Sequence, residues 1–231
     1  MTSSKQDKVM RNIIKGIADN RFGIGDRLPP ERALAEEYGI SRIIVHSAIV
    51  ELGAKGLLEI APRKGVTVAD YKRQGNIALL EIMLTAIEEG SELLWGLLDA
   101  RRLLEEEFAR LAALNRTDAN LMNLKAIIQK ETEYNDIEER AELDFALHHE
   151  IAHASANAIY PLLIKSMEGT YLRLIKEFYS AMSDWSKVTA RHQSLLKAIA
   201  ERNPNAAAKV MSELLFEGAT YLKKHRQAVD K

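Results

Sequence analysis

The chain is 231 residues long, 47% hydrophobic and 28% charged, with no cysteine and a formal net charge of −1. That balance supports a packed core over two small domains, and the missing cysteines exclude disulfides, thiolate metal sites and cysteine nucleophiles. The first twenty residues carry Lys5, Asp7, Lys8, Arg11, Lys15 and Asp19, which leaves no apolar signal core, and no later run reaches the ~18 apolar residues of a membrane span. A cytoplasmic protein without membrane association is expected.

Val9, Ile13, Ile14 and Ile17 recur at helical spacing between Lys5 and Ala18, and the Arg21-to-Gly25 stretch ends that helix. Leu28-Pro29-Pro30 is a rigid extended entry to a second helix, Glu31 to Tyr38, closed by Gly39. Ser41 is placed as N-cap of a third helix carrying Ile44, Val45, Ala48, Ile49 and Leu52. The pair joined across Gly39-Ile40 predicts a helix-turn-helix. Leu57 to Ile60 and Val66 to Val68 are β-prone runs on either side of the basic turn Pro62-Arg63-Lys64-Gly65, which predicts a wing. Residues 1–70 are therefore read as a winged helix-turn-helix and 71–76 as a linker. Residues 77–231 follow as an all-α bundle of about seven helices: 77–88, 91–114, 117–132, 135–156, 159–182, 184–201 and 204–226. The fold class is mostly α with one small hairpin.

Charge follows the same division: residues 1–75 hold 13 Lys and Arg against 9 Asp and Glu, and the remainder 19 against 24. A basic head on an acidic body suits contact with double-stranded DNA at one end. Leu28-Pro-Pro-Glu-Arg-Ala-Leu-Ala35, Gly39-Ile-Ser-Arg42, Leu52 with Gly56-Leu57, and the wing glycine Gly65 together resemble the winged helix-turn-helix of the GntR family of bacterial regulators. The resemblance implies that Arg32, Ser41, Arg42, Arg63, Lys64 and Gly65 lie on DNA. Independently of it, Ser41 and Arg42 at a helix start offer N–H groups to phosphate and a guanidinium able to bond guanine bidentately. Family members commonly carry a second arginine four residues on. Here that place holds His46, either a base contact or a plain surface histidine, with Ile43 and Ile44 where small polar residues are frequent. A different operator sequence is expected.

The body resembles the all-helical FCD effector domain of the FadR branch of this family, through Leu98 to Glu105, Ala141 to His148, Ala154 to Tyr160, and His192 ahead of Leu195 to Ile199. Residues 141–179, with Tyr171 and Arg173, are most similar to the fatty-acid regulators of that branch. Asp144 and His148 are four residues apart, so they share a helix face and either a cation or a simple hydrogen bond. The resemblance adds His192 as a further ligand of a divalent metal such as Zn, Ni or Mn. It places the fourth ligand, a histidine in relatives, at Leu214, with Glu217 one turn further. His149 and His153 form another i,i+4 pair on a different stripe, without a carboxylate.

Two effector chemistries compete. Fatty-acid regulators of this fold bind acyl-coenzyme A without metal, whereas Asp144 and His148, with Leu214, Glu217 and Tyr221 where a phosphate-rich ligand would sit, favour a small carboxylate: a hydroxy acid, a sugar acid or a dicarboxylate. Arg101 and Arg173 are its expected cations unless they serve as surface ion pairs, and Tyr171 and Tyr221 are expected beside them. The resulting reading is a homodimeric, ligand-responsive transcriptional regulator, a repressor and not an enzyme. Its ligand favours one of two dimer arrangements and so changes the spacing of the DNA heads. A metal-dependent hydrolase built on Asp144, His148 and His192 lacks a nucleophile motif and leaves the winged head unexplained. A ligand-free architectural DNA binder has no need of a polar interior.

Overall fold

The structure, a computed structural model, describes residues 4–85, 92–133 and 136–229. These form twelve helices and one two-stranded hairpin, divided into two compact units at Leu94/Trp95.

In the first unit, α1 (Lys5–Ala18) opens with a capping box: the Asp7 N–H donates to the Ser4 hydroxyl at 3.1 Å and the Ser4 N–H to the Asp7 carboxylate at 2.9 Å. Such caps stabilise a helix by about 1 kcal/mol. α2 (Glu31–Tyr38) starts after the extended Pro30 and stops at Gly39, whose φ of +64° only glycine adopts without strain. That tight stop leaves two residues before Arg42 and sets α3 (Arg42–Ala54) across α2. Leu34, Val45, Ala48, Ile49 and Leu52 close a core with the apolar face of α1. β1 (Leu58–Ala61) pairs antiparallel with β2 (Gly65–Val68), Leu58 opposite Val68 and Ala61 opposite Gly65, and an isolated bridge from Arg27 to Thr67 extends the hairpin.

Two boundaries differ from expectation. The stretch read as a linker forms one helical turn, α4 (Tyr71–Gln74), held by a Gln74 N–H donating to the Asp70 carbonyl at 2.9 Å. The following α5 (Ile77–Thr85), read as part of the helical body, instead buries Leu79 and Met83 in the core of the first unit. Its sequence is apolar on almost every side, so it cannot stand in water as a spacer. The expected ends of the helices over 77–88 and 91–114 fall at 86–91, outside the described residues.

The second unit contains α6 (Glu92–Asn115) from Trp95 onward, α7 (Asp118–Glu133), α8 (Ile137–Ala154), α9 (Tyr160–Ser166), α10 (Glu168–Ala181), α11 (Ser186–Ala200) and α12 (Pro204–Val229). α8 packs against α7, α9 and α10, while α11 packs against α7 and α12. The single helix expected over 159–182 is two: at the break the Ser166 hydroxyl donates to the Leu163 carbonyl at 2.9 Å, the acceptor of the Met167 N–H in a continuous helix. Met167 turns to the Ile164 carbonyl instead, at 3.1 Å. Among the described residues, no helix is long and apolar enough to cross a membrane.

Candidate functional site

Four arginines of the first unit share one concavity. Arg32 from α2, Arg42 from the start of α3, and Arg63 and Gly65 from the wing line a shared concavity, together with Arg27. Ser41 is the α3 N-cap by position, but its hydroxyl makes no capping bond. Arg63 and Lys64 are exposed at the wing tip. Gly65 has a φ of +92°, and a Cβ there would lie 3.0 Å from the Arg27 Nε, so glycine lets that guanidinium rest against the wing.

Glu31, at the first turn of α2, accepts from Arg42 Nε at 3.1 Å and lies 2.7 Å from His46 Nδ1. The hydrogen bond to His46, opposed by partial burial and supported by Arg42, lowers the Glu31 pKa from its ordinary value. One carboxylate therefore holds both expected base-reading side chains of α3, one helical turn apart. Arg32 pairs at 3.1 Å with Glu36 on its own helix.

In the second unit, α8 and α11 bring Asp144, His148 and His192 together in the interior, with one potential ligand atom from each within 4.8 Å of the others. All three are almost fully buried. His148 Nδ1 meets the Glu105 carboxylate from α6, and His192 Nδ1 meets Glu131 Oε1 from α7 at 2.7 Å. An ionised carboxylate accepts, so Nδ1 of each histidine is the donor, and each Nε2 is directed at Asp144, at 3.9 Å for His148 and 3.8 Å for His192. Tyr171 and Tyr179 on α10 donate to the two Asp144 oxygens at 2.7 and 2.9 Å. Arg101 on α6 pairs with Glu105, donates to the Tyr171 hydroxyl and lies 3.9 Å from the centre of its ring.

The electrostatics follow from this packing. Burial works against its charge, yet Arg101 and His148 hold Glu105 down at about 2. Burial likewise opposes ionisation of Asp144, but His148, His192 and Arg101 outweigh it and lower its pKa. At His192, burial is outweighed by Glu131 and Asp144, which raise the pKa from its ordinary value. The negative charge that draws a proton to His192 draws any cation equally well. His192 Nε2 is buried with no hydrogen-bond partner, and Glu131 Oε2 is in the same condition. Histidines backed by carboxylates at Nδ1 and converging through Nε2 on a third ligand have the arrangement of a divalent-metal centre, and these residues fit one.

A small cavity of about 50 Å³ adjoins the cluster, bounded by Arg101, Asp144, His148, His192 and apolar side chains including Phe178 and Leu214. Leu214 therefore does face the cluster, as the position of a fourth ligand should. Glu217 instead pairs with Arg191 on the exposed side of α12. Two expected effector contacts lie elsewhere. Arg173 is exposed, because it sits two residues, more than half a turn, beyond the inward-facing Tyr171. The Tyr221 hydroxyl donates to the Ala181 carbonyl at 2.6 Å, and its ring packs edge-on to Phe178 behind the cavity wall. His149 and His153 meet edge to face away from the cluster, as expected of a separate stripe.

Sequence reasoning missed Arg27 and Glu31 in the first unit and Glu105, Glu131 and Tyr179 in the second. Glu105 had a local signal, four residues after Arg101 on one helix. Glu131 had none, being 61 residues from the histidine it supports.

Residues 5–68 match the family described as bacterial regulatory proteins, gntR family, and residues 96–216 match the FCD domain. The Uxu operon regulator of Haemophilus influenzae is 32% identical over 211 residues, covering 84% of this chain and 73% of the relative. The fatty acid metabolism regulator protein of Shewanella denitrificans is 32% identical over 170 residues, covering 73% and 70%. Among solved structures, the Listeria monocytogenes protein Lar superposes with a TM-score of 0.60 at 15% identity, covering 97% of this chain and 99% of that one. McbR/YncC of E. coli gives 0.52 at 21% identity, covering 96% and 99%. These two likenesses concern the fold.

Proposed function

Because this chain belongs to the GntR family of bacterial regulatory proteins and carries an FCD domain, we propose that it is a cytoplasmic, homodimeric repressor whose helical unit binds a small carboxylate beside a divalent cation. Arg42 and His46 read bases in the major groove of the operator. Arg32, Ser41, Arg63, Lys64 and the Gly65 backbone hold its phosphates. The family and the relatives' names are those of regulators, and the protein acts without turnover.

The observation that carries the effector reading is the pair of imidazoles whose Nδ1 atoms rest on Glu105 and Glu131 while their Nε2 atoms are turned toward Asp144. Asp144, His148 and His192 would hold the metal, which when bound supplies open coordination positions for an effector oxygen. Arg101 pairs with the effector carboxylate from the cavity side, and Tyr171 and Tyr179 keep Asp144 oriented. An effector that binds the two dimer arrangements unequally shifts their populations and loosens the grip on DNA.

A second reading, an acyl chain in a metal-free site, is favoured by the apolar wall that includes Leu98, Leu174, Phe178 and Leu222. Elemental analysis of the purified full chain, with operator binding titrated against candidate organic acids and acyl-coenzyme A with and without chelator, decides between them. Stoichiometric metal and a chelator-sensitive response to an acid support the first reading. Metal-free protein that responds only to the acyl ligand overturns it.

A further inference from the structure

The second unit contains an arginine that the central cluster does not use. Arg140 on α8 is 4% exposed. Its Nη2 donates to the Thr189 hydroxyl on α11, its Nε is buried without a partner, and among the described residues no carboxylate forms an ion pair with it. Nη1 makes no hydrogen bond either and, unlike Nε, retains solvent contact. Its remaining contacts are aromatic, with the guanidinium 5.5 Å from the ring centre of Trp185 and 5.8 Å from that of Tyr179. A buried charge left this way is destabilising, and native proteins keep such groups where something else completes them.

The completing group has room. Arg140 lines an open cavity of about 560 Å³ between the end of α7 and the start of α11, with Glu131, Ser183, Trp185, Ser186 and Thr189 around it. We infer that Arg140 anchors a second ligand site, separate from the Asp144–His148–His192 cluster, that takes the carboxylate of a small organic acid. Glu131 and Asp184 also line the cavity, and their repulsion opposes a dianionic phosphate more strongly than a monoanionic carboxylate held by the guanidinium. The indole of Trp185 offers a flat apolar face to the carbon skeleton, and the hydroxyls of Ser183 and Thr189 offer hydrogen bonds. The two sites also share a frame: Arg140, Asp144 and His148 follow one another at four-residue steps on one stripe of α8, and Glu131 both lines this cavity and supports His192.

The test uses the full chain with Trp95→Phe, which leaves Trp185 as the only tryptophan. Sodium acetate is titrated, with sodium chloride and sodium phosphate at matched ionic strength as controls, and Trp185 fluorescence and the melting temperature are read. Saturable changes with acetate alone are expected. They should persist with chelator in a His148→Ala background, where binding at the central cluster is removed, and vanish in Arg140→Met. The ligand-free Arg140→Met protein should melt at or above the parent temperature, because an uncompensated buried charge has gone. If Arg140→Met folds poorly, Arg140→Lys, which loses the planar fork, should weaken acetate binding by roughly tenfold or more. Absence of an acetate response, an equal response to phosphate, loss of it in His148→Ala, or its survival without weakening in the Arg140 variants would each overturn the inference.

Discussion

His192 Nδ1 lies 2.7 Å from Glu131 Oε1, both groups fully buried and 61 residues apart in the chain. That bond fixes the imidazole tautomer and turns Nε2 toward Asp144. Replacing the carboxylate with an amide in Glu131→Gln keeps the shape but removes the charge and the certainty of the tautomer. Affinity for a divalent metal should fall by about 10–100-fold, as measured by competition with a chromogenic chelator. An unchanged affinity would mean that Glu131 supports the fold and not the metal.

Leu214 faces the same cavity as the three candidate ligands. A Leu214→His variant should therefore complete a four-ligand set, bind metal more tightly and close the position that the effector's oxygen uses. Metal competition and effector-induced thermal shift should move in opposite directions. If both move together, Leu214 is only a wall of the cavity.

The Tyr179 hydroxyl donates to a buried Asp144 oxygen at 2.9 Å. Tyr179→Phe leaves that oxygen without its hydroxyl donor, and the expected loss of unfolding free energy is about 1–3 kcal/mol by denaturant titration. A loss well under that range would indicate that water or a bound cation satisfies Asp144 in solution.

On the DNA side, Arg42→Ala should weaken operator binding by roughly 1–3 kcal/mol and relax base preference. Lys64→Ala should weaken binding to all sequences alike and reduce the salt slope by about 1. Binding isotherms at several salt concentrations on operator and scrambled duplexes separate the two behaviours. Full retention of sequence preference in Arg42→Ala would remove Arg42 from the reading set.

Glu31 also makes the head sensitive to acid. Its folded pKa is lowered from 4.5 by the hydrogen bond to His46, against partial burial and with help from Arg42. A lowered carboxyl pKa contributes stability that is complete above the unfolded value and is lost as pH falls through the folded one. The melting-temperature gap between wild type and Glu31→Gln should therefore be widest above pH 4.5 and narrow below it. A gap that is constant with pH would assign the effect to packing and not to ionisation.

What depends on neighbours within a turn or two was legible in the amino-acid order alone. The helix-turn-helix and its stop at Gly39, the wing around Gly65, the common face of Asp144 and His148, and the all-helical body all follow from period, capping and turn chemistry. Local pattern failed where a long-range or side-chain contact competed with it. The apolar periodicity of residues 159–182 says nothing of the break between α9 and α10, where the Ser166 hydroxyl bonds the Leu163 carbonyl. The boundary at 76 missed that α5 has no apolar partner of its own and sinks Leu79 and Met83 into the first unit. Only tertiary packing brought Glu105, Glu131 and Tyr179 to the cluster, and only it left Arg140 buried with no ion-pair partner among the described residues, because those relations join separate helices whose spacing no linear period encodes.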